Sequence, residues 1–183
     1  MAATSKVPRD GRRLAERSRA AILVGGAETG GRLAIVELTL ARGASDPRHR
    51  HDREDEALYV LDGELAVCLD EEWRRVPAGA TILLPRGVEH GVAVVSPRAR
   101  VLTILTPAGF EGFYRDVDSS EPDLERLVTI AARYGCEITG PPPTGPPLRD
   151  CAQPREVRIG RMSPGPAIQQ ESFPTNGNGG GTR

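Results

Sequence analysis

The chain has 183 residues, with 24 Lys plus Arg against 25 Asp plus Glu and a formal net charge of -1. That balance excludes the basic footprint of a nucleic-acid or anionic-membrane binder. One domain with tails is expected at this length. The sequence holds neither a run of about 18 apolar residues nor the apolar core of a signal peptide, so a cytoplasmic protein without membrane partners is expected.

In chain order, residues 1–19 are polar and aperiodic. They predict a flexible arm, or one that docks on a neighbouring subunit. Arg9, Arg12, Arg13, Arg17 and Arg19 make a basic arm the alternative, but Asp10 and Glu16 interrupt the run and a solvated surface is favoured. Short strands then follow: AAILVG from Ala20, a Gly-rich turn through Gly25 to Gly31, and RLAIVELTLARG. ALYVLD and ELAVCLD are hinged at Asp62-Gly63, a turn dipeptide whose glycine accepts positive φ. WRRVPAG, ATILLP, HGVAVVS and RVLTILT continue the pattern, each bounded by Gly, Pro or Ser. Such spacing signifies an antiparallel sandwich or barrel.

Near Phe110 the period changes to helical. Phe110, Phe113 and Tyr114 begin it; Leu124, Leu127, Val128, Ala131 and Ala132 continue it, with Glu121-Pro122 as a start signal and Gly135 as a stop. These stripes are assigned to packing rather than to substrate. The expected organisation is an arm over 1–19, a β-barrel over 20–118, a helix and Pro-rich segment over 119–148, and a tail over 149–183. That tail has too few large apolar groups to offset its ordering entropy, and disorder is predicted there.

All three histidines fall inside one pattern: Gly43-x5-His49-x-His51-x4-Glu56-x6-Gly63, then Gly79-x5-Pro85-x-Gly87-x2-His90. His49 and His51 are two apart, so both imidazoles leave the same face of an extended segment. Glu56 opens the next apolar run. Pro85-Arg86-Gly87 predicts a tight turn that returns His90 to the same interior. Three imidazoles and a carboxylate suit one first-row divalent ion, Fe first, with Mn, Zn or Ni as alternatives. Cys68, Cys136 and Cys151 are odd in number and widely spaced, which suits reduced thiols rather than a disulfide framework.

Alternation places Leu58 and Val60 inward with Glu56, and Val92 and Val94 inward with His90, giving an apolar pocket around the ion. Arg48 and Arg50 have the opposite parity and should point away. Arg53 and Arg86 are expected at the barrel mouth, paired with nearby acids. Glu37 and Thr39 face either the pocket or an exposed sheet surface.

The two histidine blocks resemble the paired motifs of the cupins. Every position of the first motif is present, and the second departs only at Val94, where the family has Asn. The runs TPAGFEGFYRDV and AARYGCEITGPP look like those of stand-alone, single-domain proteins similar to quercetin 2,3-dioxygenase. The resemblance implies an all-β double-stranded β-helix, or jelly roll, with a metal held by His49, His51, Glu56 and His90. It also implies that Glu56 doubles as the catalytic base for an aromatic or enolisable small molecule reacting with dioxygen. The competing expectations are a non-redox isomerase, lyase or cyclase of the same fold, or a ligand-binding cupin without turnover. A homodimer is the default assembly.

Overall fold

The computed structural model describes residues 12–15, 18–117 and 124–143. The tail expected from residue 149 and most of the N-terminal arm lie outside them. The described residues form eleven strands and three helices. One sheet contains β1 (Arg12–Ala15), β2 (Ser18–Val24), β3 (Ala34–Ala41), β5 (Asp55–Asp62), β8 (Thr81–Leu84) and β10 (Arg98–Thr106). The other contains β4 (Arg48–His51), β6 (Glu64–Leu69), β7 (Glu72–Pro77), β9 (His90–Val94) and β11 (Cys136–Gly140). The strand orders are β1-β2-β3-β10-β5-β8 and β11-β4-β9-β6-β7. All the pairings are antiparallel. The fold is the expected all-β jelly roll.

The inner faces follow from alternation of side chains along the strands. In β5, Glu56, Leu58 and Val60 are buried while Tyr59 and Leu61 are exposed. Val36 and Leu38 of β3 and Val101 and Leu105 of β10 meet Leu65 and Val67 of β6 and Val92 and Val94 of β9 in one core. Each such side chain taken out of water contributes about 1.5–3 kcal/mol before ordering entropy is subtracted.

Several elements differ from the expectations of local pattern. The arm boundary expected at residue 19 falls inside β2, and residues 12–15 pair with that strand. A four-residue helix, α1 (Gly26–Thr29), occupies the expected Gly-rich turn. The region beyond the barrel contributes α2 (Glu111–Asp116), the expected helix α3 (Leu124–Arg133) and an unforeseen strand, β11. Cys136 of β11 pairs with His51 and Ile138 with His49. Local periodicity cannot reveal a pairing partner so distant along the chain. The buried Glu111 carboxylate fastens α2 to the barrel, accepting hydrogen bonds from the Gly26 amide at 2.9 Å and the Gly109 amide at 2.6 Å.

Gly63 carries the hinge between β5 and β6. Its φ is +81°, and a Cβ there would collide with the Arg98 carbonyl oxygen. Left-handed backbone alone costs a non-glycine residue roughly 1–2 kcal/mol, and the collision adds to it. Gly63→Ala is expected to lower the melting temperature by at least roughly 4–8 °C. An unchanged melting curve would show that the hinge relaxes freely.

Candidate metal centre

The two sheets deliver the donors from opposite sides of the barrel. His49 and His51 come from β4, and His90 from β9, where it lies directly opposite His49. Glu56 projects from β5 of the other sheet, between Leu105 and Leu84 on the adjoining strands. The turn Pro85–Val88 closes with a 3.2 Å hydrogen bond, and the Gly87 amide donates to the His51 carbonyl at 2.7 Å, which ties the two motif segments together.

One donor atom from each of the four residues lies within 4.8 Å of all the others. His51 and His90 are each 1% exposed, and the Nε2 atoms of both have no hydrogen-bond partner. Glu56 Oε2 is 3.3 Å from His51 Nε2 and 3.6 Å from His90 Nε2. Buried polar atoms without partners are costly. Convergent lone pairs on one point satisfy that cost when an ion sits there, so the residues fit a divalent metal. The His49 Nδ1–H donates to the Pro47 carbonyl at 2.8 Å and that of His90 to the Val88 carbonyl at 3.0 Å. A carbonyl only accepts, so in the neutral form of each ring the proton sits on Nδ1 and Nε2 is left for the centre.

Burial, with His90 and His51 alongside, pulls His49 down to about 4. Burial opposes the charged form of His90 too, but the adjacent Glu56 carboxylate outweighs it and leaves the ring above its ordinary value. For Glu56 burial pushes upward, yet the adjacent His51 and His90 rings hold its carboxyl well below the usual range. Metal binding requires neutral imidazole. Near neutral pH His49 is already neutral and Glu56 already ionised, so protons compete with metal at His90. Its proton must leave first; affinity therefore rises with pH and falls as solution is acidified toward and below about 6.5. A chelator competition is expected to show at least about tenfold weaker binding at roughly pH 5 than at pH 8. Equal affinity at both would count against imidazole donors.

A cavity of about 470 Å³ is lined by His49, His51 and Glu56 of this set. Leu38, Leu58, Leu65, Val92 and Val101 form its barrel walls, and Phe110, Phe113, Tyr114, Leu127 and Ala131 of the capping segment line the rest. Of the stripes assigned to packing, these five residues thus wall the cavity, whereas Leu124, Val128 and Ala132 are exposed and join no core among the described residues. No Lys or Arg lines it among the described residues. Burial, reinforced by Glu56 and Asp46, pushes the Tyr114 phenol well above its ordinary value, and burial pushes the Cys136 thiol up to about 12. Neither is a ready nucleophile or base.

Asp46 carries no motif that singles it out in the sequence. It lines the cavity and keeps an exposed side. Partial desolvation at the cavity wall, then the charge of Glu56, raises its carboxyl against the pull of His90 and His51, and its exposed side limits that rise. Its only sequence signal is a place in the spacer before His49. Glu54 belongs to the acids expected to serve surface arginines, but it is 2% exposed. Burial raises its carboxyl against the pull of His51 and Arg53.

The flanking arginines turn outward. Arg48 pairs with Glu89 at 3.2 Å, and Arg50 with Glu137 at 2.5 Å. Arg86 donates to Asp55, holding that carboxyl down to about 2. Glu37 accepts from Arg100 on the outer sheet face, so it does not enter the pocket. Cys68 and Cys136 are buried free thiols, and Cys151 lies outside the described residues.

The Cupin domain family matches residues 36–105, the stretch that contains all four donors. Quercetin 2,3-dioxygenase of Bacillus subtilis (strain 168) is 33% identical over 87 residues, covering 48% of this chain and 26% of that protein. An uncharacterized protein of Streptomyces coelicolor is 28% identical over 75 residues, 41% of this chain and 70% of its own. Among solved structures, KdgF from Halomonas sp. is similar with a TM-score of 0.50 at 26% identity, covering 54% of this chain and 86% of that one. The protein belongs to the cupin superfamily, and its four-residue cluster is able to bind a metal, as is typical of cupins. The chain spans about a quarter of the length of the quercetin dioxygenase that it resembles. No helix among the described residues is long and apolar enough to cross a membrane.

Proposed function

We propose that this protein is a metal-dependent oxygenase of the quercetin-dioxygenase-like cupin type, acting on a small aromatic or enolisable substrate. The observation that carries the reading is the cavity of about 470 Å³, apolar over most of its wall, that ends on His49, His51 and Glu56 of the four-residue cluster. Such a space suits a hydrophobic ring with a polar edge directed at the donors, and it helps to exclude water. Similarity to quercetin 2,3-dioxygenase over 87 residues supports the same direction. His49, His51, Glu56 and His90 would hold an Fe(II) or Mn(II) ion, whose chemistry is to bind oxygen donors of the substrate and to bring dioxygen to it.

The chain's own residues supply the remainder. Phe110 and Phe113 stack at 4.9 Å and offer a flat aromatic wall. Glu56 is ionised at neutral pH, the state required of a group that takes an enol or phenol proton. Asp46 is the other carboxylate on the cavity wall. The protein would work on a diffusible small molecule in the cytoplasm, as a homodimer.

The deciding experiment measures oxygen uptake by the Fe(II)- or Mn(II)-loaded protein with an aromatic enol such as a flavonol. Dioxygen is expected to disappear in step with substrate. Equal product formation under strict anaerobiosis would overturn the oxygenase and leave a non-redox isomerase, lyase or cyclase acting through carbonyl polarisation.

A further inference from the structure

We infer that Glu54, which stands between the histidine pair and the glutamate of the first motif, is a positioning residue for His51. It would accept the Nδ1–H of that ring and so hold Nε2 unprotonated and aimed at the centre. The inference rests on His51 as a metal donor and is independent of oxygenase chemistry.

Two buried atoms without partners face each other. Glu54 is 2% exposed and His51 1% exposed; neither Glu54 Oε2 nor His51 Nδ1 has a hydrogen-bond partner. They lie 3.9 Å apart. That is too long for a hydrogen bond and about 1 Å from one, a gap closed by a small side-chain rotation. An unpartnered buried carboxylate is costly, as is an unpartnered buried ring nitrogen, and a single contact relieves both.

The other two rings show what His51 lacks. His49 and His90 each send Nδ1–H to a backbone carbonyl two residues upstream, at 2.8 and 3.0 Å. His51 has no such carbonyl. Its ring is held on one side by the edge of Phe110, with centroids 4.3 Å apart. The loop before α2 closes over the carboxylate at Gly109, where an added Cβ would lie 3.2 Å from Glu54 Oε1. Glu54 is therefore packed where it is rather than free to swing to solvent.

A carboxylate behind a ligating imidazole orients the ring and makes its far nitrogen a better electron donor than a carbonyl does. Loss of such partners commonly weakens metal binding by about 10–100-fold.

The test uses the full chain with zinc, which is redox-inert, and compares the wild type with Glu54→Gln and Glu54→Ala. A chelator competition is expected to show about 10–100-fold weaker zinc binding for Glu54→Ala and a smaller loss for Glu54→Gln, which keeps an acceptor oxygen without its charge. Nitrogen-detected NMR of the zinc-loaded protein reads the rings directly. The His51 Nδ1–H resonance is expected to move in Glu54→Gln, while that of His49, bound to the Pro47 carbonyl, stays in place. A merely structural role for Glu54 would alter stability without singling out the His51 ring. If folded Glu54→Gln shows wild-type zinc affinity and an unmoved His51 Nδ1–H, the inference is overturned, whether or not Glu54→Ala folds. Absence of zinc binding by the wild type would overturn the metal centre and this inference together, and absence of oxygen uptake would touch neither.

Discussion

Replacement of His90 with Ala removes most of the bound metal, whereas replacement of Arg50 with Ala leaves it in place. His90 is 1% exposed, its Nδ1 is committed to the Val88 carbonyl, and its Nε2 has no protein partner. Sites with four protein donors bind zinc with about 10–16 kcal/mol, so one donor accounts for roughly 3 kcal/mol, a loss of a hundredfold or more. Arg50, on β4, leaves the face opposite His49 and His51 and meets Glu137 in solvent. Elemental analysis after dialysis provides the measurement. Full occupancy in His90→Ala would sink the donor assignment.

Glu56→Gln is expected to retain metal and lose turnover. Gln keeps an oxygen that reaches the centre, but it cannot take a proton, and removal of a positioned base commonly costs about 10²–10⁴-fold in rate. The environment of Glu56 gives the comparison its force: the carboxylate lies 3.3 and 3.6 Å from the Nε2 atoms of His51 and His90, so the amide oxygen is held by the same neighbours. Metal content and oxygen uptake are measured on the same preparation. A metal-replete Gln variant that turns over at the wild-type rate would remove Glu56 from the proton-transfer role while leaving it as a donor.

The donor set is legible in the amino-acid sequence because its determinants are local. Two imidazoles separated by one residue share a strand face, and glycines at 63, 79 and 87 sit at φ values of +81°, +83° and +74°, where turns demand them. Alternation from Glu56 and from His90 correctly places Leu58, Val60, Val92 and Val94 inside. The same rule, carried back two residues from Glu56, points Glu54 inward. Within the run HDREDE that signal is masked, since an acidic loop is ordinarily solvated and two of its acids do sit outside, Asp55 on Arg86 among them.

Tertiary structure alone decided what covers the site. A helical apolar stripe has the same spacing whether it meets a core or a cavity, so Phe110, Phe113, Tyr114, Leu127 and Ala131 could not be divided between packing and pocket by period. Strand β11 is illegible for a related reason: five residues of mixed character have no strong period, and what makes them a strand is the exposed edge of β4 against which they pair. The sequence by itself determined an antiparallel barrel or sandwich and the convergence of His49, His51, Glu56 and His90, because these depend on spacing along the chain, while its resemblance to the cupins implied the jelly roll. The cavity wall, the inward carboxylate of Glu54 and the outward face of Glu37 depend on which distant segments meet, and only the folded chain brings those segments together.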